Sequence, residues 1–354
     1  MEENELKNLY TESRTVLKDV LPLDIPMCIS IEPSNLCNFK CIMCYHGNNE
    51  EAEKAKPLRN MEWHVFEKAL DDIKQWVTGE GYAQPSRRIK LMKLYSLGEP
   101  LVNPKCLDMV KAIKQADIAE QLEITTNGSL MTEEVSRKMV EYGLDIVRFS
   151  IYGLNDEEQK RVTGSSVSVE QIYNNISYLY KYREEQGAKL PKIFVKMFDA
   201  GEEKNAIFID RYKSISDVVG IDEVFNMDVG NKTDIYEKFY GEEKGELHDE
   251  LMQSKKKCGK PCRYLFTHMT VRNDGTVIAC CADWLKEIQF GNILNNSLQE
   301  IWESKTLYEM RKKMLQTKGQ CFAACRGCEI PYRDLPEDSL DDLSIEKFDY
   351  KNRY

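Results

Sequence analysis

Three cysteines stand in a C-x3-C-x2-C pattern in the segment Cys37-Asn38-Phe39-Lys40-Cys41-Ile42-Met43-Cys44. The segment directly follows the strand-like run Met27–Glu32. Thiolates are the soft ligands that iron–sulfur clusters and zinc select. A cubane cluster has about four irons, so three thiolates leave one iron for a ligand that is not a cysteine. We therefore predict an open-site [4Fe–4S] cluster held by Cys37, Cys41 and Cys44.

Two other interpretations of this segment stay open at this point. A structural zinc site has a closed set of four ligands, and only His46 lies near enough in the sequence to complete one. The three thiols could also be unrelated to any metal.

The length and composition indicate a large domain with a smaller one. A chain of 354 residues, 42% hydrophobic and 31% charged, has enough apolar material for a core and the charge of a soluble protein. The formal net charge is −10, and the sequence contains no basic stripe. Both features argue against nucleic acid as the main partner.

The same composition predicts a cytoplasmic location. The charged start Met1–Lys7 is unlike a signal peptide, and no apolar run reaches membrane-spanning length. Twelve cysteines without a secretory signal indicate metal ligands rather than disulfides. We therefore expect a reducing compartment and no membrane partner.

From residue 27 onward, strand-like and helix-like runs alternate, which is typical of parallel βαβ units. The predicted strands are Met27–Glu32, Ile89–Ser96, Gln121–Thr126, Asp145–Ile151, Lys192–Met197 and Asp222–Met227. The predicted helices are Met61–Trp76, Lys105–Ala116, Glu133–Tyr142, Val169–Gln186 and Ala206–Val218.

The cysteine pattern at this place resembles that of the radical S-adenosylmethionine (SAM) superfamily, except that Met43 replaces a commonly aromatic residue. The resemblance implies an α/β fold, a partial (βα)6 TIM-like barrel. It also implies that the open iron chelates SAM, and that one electron splits SAM into methionine and a 5′-deoxyadenosyl radical. A reducing partner such as flavodoxin or ferredoxin is then expected.

Three further motifs lie at predicted strand ends, where parallel barrels collect their ligands. Leu97-Gly98-Glu99-Pro100 resembles the family's Gly-Gly-Glu-Pro motif, which binds the SAM amino group, although Gly-Glu-Pro alone is only a turn. By the same resemblance, the other SAM contacts are Thr126, Asn127, Ser150 and Arg161. Tyr152 stands where many relatives carry Asp, and Arg161 could be an ordinary surface residue.

Cysteines return in the last third of the chain, around a predicted hairpin that turns at Asn273-Asp274-Gly275. The region resembles the SPASM extension of radical SAM enzymes. Its spacings, C-x17-C and then C-x2-C, match the single-cluster form called Twitch. The resemblance assigns one auxiliary [4Fe–4S] cluster to Cys262, Cys280, Cys325 and Cys328.

A zinc ribbon is the alternative interpretation of this region. A second auxiliary cluster would have to use Cys258, Cys281 and Cys321, which is one thiolate short. The predicted domains are 1–26 (helix and connector), 27–228 (barrel), 229–257 (linker), 258–335 (SPASM/Twitch, a β-hairpin plus helix) and 336–354 (acidic tail).

A cluster closed by four thiolates cannot bind substrate directly, so electron transfer is its expected role. The region is similar to that of Twitch-bearing dehydrogenases of cyclitols. We therefore expect oxidation of an alcohol carbon in a sugar- or cyclitol-like small molecule, with the electron passed to the auxiliary cluster.

Other functions remain open. An epimerase would need a hydrogen-donating thiol, for which Cys281 and Cys321 are candidates. A peptide (RiPP) maturase and a non-catalytic iron–sulfur scaffold are further alternatives. The candidate general bases are Lys196, Asp199, Glu223 and Arg148.

Overall fold

The computed structural model describes residues 15–44, 57–78, 88–224, 235–256, 259–280, 282–283, 286–326, 328–344 and 346. Some predictions lie wholly or partly outside these residues. They concern His46, Cys258, Cys281, most of the segments 1–26 and 345–354, and residues 225–234 at the end of the barrel and the start of the linker.

Nine strands form one continuous sheet in the described part of the chain. They are β1 (Cys28–Ile31), β2 (Ile89–Lys93), β3 (Ala119–Thr126), β4 (Ile146–Ser150), β5 (Lys192–Phe198), β6 (Val218–Asp222), β7 (His268–Val271), β8 (Thr276–Ile278) and β9 (Gln289–Asn292). Their order is β6-β5-β4-β3-β2-β1-β7-β8-β9. The pairs from β6 to β7 are parallel, and β7-β8-β9 are antiparallel. The predicted α/β fold class, an open partial barrel with a small C-terminal domain, is confirmed.

Twelve α-helices accompany this sheet in the described part of the chain. They are α1 (Leu17–Val20), α2 (Trp63–Thr78), α3 (Cys106–Ala116), α4 (Glu133–Glu141), α5 (Asp156–Thr163), α6 (Val169–Glu185), α7 (Glu202–Tyr212), α8 (Ile235–Tyr240), α9 (Glu242–Lys256), α10 (Tyr264–Thr267), α11 (Leu298–Trp302) and α12 (Lys305–Thr317). Their apolar residues recur at helical spacing, as in α2, where Phe66, Ala69 and Ile73 are buried together. None of the described helices is long and apolar enough to cross a membrane.

The strands divide their side chains between two faces because successive residues point to opposite sides. Met92, Ile124 and Val195 belong to the large apolar core shared with the helices. Lys93 and Lys196 alternate with such residues on strands β2 and β5 and therefore face the other side, the inner face of the barrel.

One strand and one helix were predicted in the wrong place. The predictions were strand 222–227 and helix 206–218, whereas α7 ends at Tyr212 and β6 spans Val218–Asp222. Ile215 and Val219 continue the helical spacing of α7 in sequence, yet the β-branched run at 218–221 pairs with β5. Gly220 suits this strand because a Cβ there would lie 2.6 Å from the Phe194 ring.

The C-terminal domain continues the barrel sheet. β7 and β8 form the predicted hairpin, and Gly275 has φ +82 in its turn. Ser297 and Glu300 form a capping box at the start of α11. Leu340, in the segment predicted as a tail, is buried in the main core.

Candidate active site and auxiliary metal centre

The cluster loop, residues 37–44, is held from two sides. On one side, Asn38 accepts a hydrogen bond from Asn127 Nδ2 at 2.9 Å and donates to Ser129 Oγ at 2.8 Å. On the other, the Lys40 and Ile42 amides donate to the carbonyls of residues 163 and 162 at the end of α5. The loop is thus positioned by the turn after β3 and by α5.

The three thiols of this loop can each bind a separate iron of a cubane. His46, the fourth ligand of the alternative zinc site, lies outside the described residues. Thiolates of a cubane bind separate irons, whereas zinc needs its ligands around one point. Burial raises the pKa of Cys37 to about 12 and raises that of Cys41 as well. Metal binding to these neutral thiols must therefore release protons.

Glu99 lies buried beside this loop, with 2% of its surface exposed. Its carboxylate accepts hydrogen bonds from Thr126 Oγ1 at 2.7 Å and from the amides of Asn127 at 2.8 Å and Leu101 at 3.2 Å. Burial outweighs these bonds and raises the pKa of Glu99 to about 7. A buried carboxylate of this kind is suited to bind an ammonium group.

Gly98 brings the Gly-Glu-Pro segment against the start of the cluster loop. Its φ is +76, and a Cβ there would lie 2.5 Å from the carbonyl oxygen of Leu36 and 2.7 Å from that of Ser34. The Glu99 amide donates to the same Leu36 carbonyl at 2.8 Å. Pro100 begins a short 3-10 helix that Glu99 caps.

The last two predicted SAM contacts differ in their setting. Ser150 is buried at the end of β4 and hydrogen-bonds Tyr152. Arg161 is exposed on the last turn of α5, although the next two residues of α5 contact the cluster loop. The structure therefore brings Gly98, Glu99, Thr126 and Asn127 together, while Arg161 lies at the surface.

A small apolar cluster, which sequence reasoning missed, packs against the cluster loop. Tyr152 stacks on Phe198 with ring centroids 5.5 Å apart, and Phe198 meets the edge of Phe239 at the same distance. Met43 of the loop belongs to this cluster. The aromatic pattern YEKFY of α8 was the available signal, but nothing in the sequence placed it here.

Charged side chains on the inner face were also only partly foreseen. Glu123 is fully buried, accepts a hydrogen bond from Tyr95 at 2.6 Å and lies 3.7 Å from Arg148. Lys196 and Asp222 form an ion pair at 2.5 Å, each partly exposed. Polar residues at alternate positions of otherwise apolar strands were the signal that could have found them.

The candidate general bases are all engaged. Arg148 and Lys196 are the cations of the two pairs above. Asp199 accepts a hydrogen bond from Asn205, and its pKa is lowered by this bond. Glu223 is paired with Arg333 at 2.8 Å.

The four cysteines predicted to bind the auxiliary cluster line one cavity. Its empty space is about 660 Å³, part of it open to solvent. Burial raises the pKa of Cys262 to about 12 and raises that of Cys325. Cys321 is exposed and does not line the cavity. These residues fit a four-thiolate cluster: Cys262, Cys280, Cys325 and Cys328.

Comparisons with known proteins identify two domains in this chain. The family model of the radical SAM superfamily matches residues 31–185, and that of the SPASM iron–sulfur cluster-binding domain matches residues 262–329. The crystal structure of BtrN in complex with AdoMet and 2-DOIA has a TM-score of 0.53 and 14% identity, covering 91% of this chain and 98% of that one. Streptococcus suis SuiB bound to precursor peptide SuiA has a TM-score of 0.60 and 15% identity, covering 92% of this chain and 77% of that one.

Two relatives are similar in sequence. The tungsten-containing aldehyde ferredoxin oxidoreductase cofactor-modifying protein of Pyrococcus furiosus is 27% identical over 85% of this chain and 86% of its own length. A probable GTP 3',8-cyclase of Methanococcus maripaludis is 32% identical, but the match covers 38% of this chain and 39% of that protein.

The fold and the two cysteine sites define an iron–sulfur enzyme built on an open parallel barrel. The chain belongs to the radical SAM superfamily and carries a SPASM domain. Its cofactors are therefore SAM, a [4Fe–4S] cluster in the barrel and auxiliary iron–sulfur clustering in the SPASM domain, whose family model is that of an iron–sulfur cluster-binding domain.

Proposed function

We propose that this enzyme oxidises an alcohol carbon of a sugar- or cyclitol-like small molecule. The observation that carries the proposal is the cavity lined by four cysteines, since a complete thiolate set leaves no iron for substrate. When bound, the cofactors supply a 5′-deoxyadenosyl radical at the barrel and an electron acceptor in the SPASM domain.

The proposed residue roles follow from the geometry of the described chain. The cluster-loop cysteines hold the first cluster, and Cys262, Cys280, Cys325 and Cys328 hold the auxiliary one. Glu99, with the carbonyls beside Gly98, receives the SAM amino group. Thr126 and Asn127 orient the Glu99 carboxylate by the hydrogen bonds they donate to it.

The inner face supports a substrate rich in hydroxyl groups. Arg148, which is paired with the fully buried Glu123, and the Lys196–Asp222 pair are partly exposed there and offer both donors and an acceptor. Hydroxyl groups can donate and accept, so they match such pairs. The stacked rings of Tyr152 and Phe198 add an apolar wall at the same end of the barrel.

The test is the mass of the product. Oxidation of an alcohol removes two hydrogens, so we expect a product about two mass units lighter than the polyol substrate. Product mass that is unchanged in ordinary water, with one deuterium gained in heavy water, would contradict the oxidation and indicate an epimerase. Of the two candidate hydrogen-donating thiols, Cys321 lies in the part of the chain that the structure describes, and it is exposed.

The auxiliary site separates oxidation from simple SAM cleavage. Replacing Cys325 and Cys328 by serine should abolish product while 5′-deoxyadenosine still forms. Cys321→Ser is the matched control, because this thiol lies on the same loop but outside the cavity. Full product formation by the double variant would contradict an electron-accepting role for this site.

A second candidate function is the modification of a cofactor. It is favoured by the Pyrococcus furiosus relative, which matches nearly the whole chain and is named for modifying the cofactor of a tungsten enzyme. The assay is incubation of SAM and the enzyme with the cofactor fraction extracted from a tungsten-containing aldehyde ferredoxin oxidoreductase, followed by mass spectrometry. Conversion of the cofactor, with no conversion of polyols, would favour this function over the first.

A further inference from the structure

A tyrosine and a buried carboxylate are hydrogen-bonded to each other on the inner face of the barrel. Tyr95 Oη donates to Glu123 Oε1 at 2.6 Å. Leu94 belongs to the core shared with the helices, so Tyr95, the next residue, points to the other side of the sheet. Glu123 on β3 is in register with Lys93 on β2, whose side chain also faces inward. The side chains of Tyr95 and Glu123 therefore meet inside the barrel.

This pair lies beside the site proposed for SAM. Thr126, at the end of β3, donates to Glu99 at 2.7 Å. Glu123 lies earlier on the same strand, about 10 Å before Thr126 at the usual rise per residue. Tyr95 likewise lies between the end of β2 and the turn that carries Glu99. Because ligands of parallel barrels collect at this end of the sheet, a substrate next to SAM would lie against the pair.

Of the two groups, only the tyrosine is accessible. Glu123 has no exposed surface, whereas Tyr95 is partly exposed. A phenol donates one hydrogen bond and can also accept. The proton of Tyr95 is directed at Glu123, and no group in the described part of the chain donates to the phenol oxygen. A hydroxyl group inside the barrel can therefore donate to Tyr95 but cannot touch Glu123.

Two cations lie close to the pair. Arg148 Nη1 lies 3.7 Å from the same Glu123 oxygen, beyond hydrogen-bond distance, so the Tyr95 hydroxyl is closer to it. Lys93 Nζ lies 5.5 Å from the centroid of the Tyr95 ring. Burying a carboxylate is costly, and titratable groups in such settings are concentrated at functional sites. A buried acceptor behind an accessible phenol is the arrangement that proton transfer requires.

The tyrosine cannot act as a base alone. Burial, and after it the charge of Glu123, raises the pKa of Tyr95 to about 12. The phenol therefore stays protonated near neutral pH. It can accept a proton only if its own proton moves to Glu123 in the same step.

We propose that Tyr95 is a catalytic residue that relays the hydroxyl proton of the substrate to Glu123. The proposal rests on the alcohol oxidation proposed above, which needs a base for the proton of the carbinol after its carbon has lost a hydrogen atom. The O–H bond of the substrate breaks as its proton bonds to Tyr95 Oη, and the Tyr95 O–H bond breaks as its proton bonds to Glu123 Oε1. The electron left on the carbonyl group is the one that the oxidation passes to the auxiliary site. The proton on Glu123 returns through Tyr95 to water after the product leaves.

The experiment compares hydrogen abstraction with product formation in Tyr95→Phe and Glu123→Gln. The probes are myo-inositol, scyllo-inositol and glucose with deuterium on the carbinol carbons, each incubated with SAM and the reduced, cluster-loaded enzyme. Both variants should still transfer deuterium into 5′-deoxyadenosine, because abstraction precedes the relay. Both should form the oxidised product at least about a hundredfold more slowly. Phe keeps the ring, and Gln still accepts the hydrogen bond but cannot take up the proton.

The matched controls are Tyr182→Phe and Glu141→Gln. They alter a surface tyrosine–glutamate pair between α4 and α6, joined at 3.3 Å. Both deuterium transfer and product formation should be unchanged in these controls. A second readout needs no turnover: calorimetry of inositol binding to the SAM-loaded, unreduced enzyme should give the same affinity for Glu123→Gln as for the unmodified protein.

Three outcomes would overturn the relay. Full product formation by either Tyr95→Phe or Glu123→Gln would exclude proton transfer through the pair. Loss of deuterium transfer or of inositol binding in Glu123→Gln would assign the pair to substrate binding. Oxidation of none of the probes by the unmodified enzyme would reject the alcohol oxidation and the relay with it, and this result differs from the other two because the unmodified enzyme itself forms no product.

Discussion

Gly98→Ala should damage the cluster loop, whereas Gly187→Ala should not. At Gly98, the new Cβ would lie 2.5 Å from the Leu36 carbonyl oxygen, where ordinary contacts are near 3.5 Å, so the backbone next to Cys37 must move by about 1 Å. Its φ of +76 adds the strain of a left-handed alanine, about 1–2 kcal/mol. With an overpacking cost of about 1–3 kcal/mol, we expect a loss of about 2–5 kcal/mol.

Gly187→Ala provides the matched control. Gly187 has φ +62, but a Cβ there would have no neighbouring atom within 4 Å, so only the conformational cost of about 1–2 kcal/mol applies. The difference between the two variants isolates the contact with the loop that precedes Cys37.

The assays are the guanidinium unfolding midpoint and the iron content of anaerobically prepared protein. Gly98→Ala should unfold at clearly lower denaturant and lose iron and SAM binding at the barrel site, while the auxiliary site keeps its iron. Gly187→Ala should keep both. Equal midpoints and equal iron content in the two variants would refute this reasoning.

Three further predictions concern charge and metal. Burial raises the pKa of Glu99 to about 7, so SAM affinity, measured by calorimetry, should rise with pH through that value. The stability of the ligand-free protein, measured by denaturation, should fall as pH rises from 4.5 toward the same value. Glu99→Gln should flatten both pH profiles. Replacing all three cluster-loop cysteines by alanine should halve the iron from about eight to about four per chain and abolish 5′-deoxyadenosine formation; stoichiometric zinc would contradict this. Arg272→Met leaves Glu32 buried and unpaired, so it should cost about 3–5 kcal/mol, whereas Arg88→Met at an exposed pair should cost about 1 kcal/mol or less in the same denaturation assay.

Local patterns explain what could be predicted from the sequence. Strands β1 to β5 and helices α2, α3, α4 and α6 have apolar periods of two or about 3.6 residues within short windows, so each could be recognised alone. The short helix α5, Asp156–Thr163, was not predicted. The cysteine spacings are equally local. The Gly98-Glu99 turn followed from its place one strand after the cluster loop, but its contact with Leu36 did not.

Long-range pairings explain what could not be predicted. Glu32 accepts a hydrogen bond from Arg272 Nε at 2.8 Å across 240 residues, and both side chains are fully buried. No local spacing in the sequence predicts such a pair. The stacking of Tyr152 on Phe198 likewise depends on two strand ends meeting in space. β6 was misplaced because its apolar residues continue the period of α7.

The continuous sheet has a consequence for dividing this protein. β1 pairs with β2 on one side and with β7 of the C-terminal domain on the other. A chain cut before β7 would leave the unpaired backbone of β1 as an apolar edge, because all four of its residues are buried. Exposed edges of this kind recruit other chains and aggregate. The two halves are therefore poor modules for exchange: an engineer who grafts a different C-terminal domain must also supply a strand that completes the barrel.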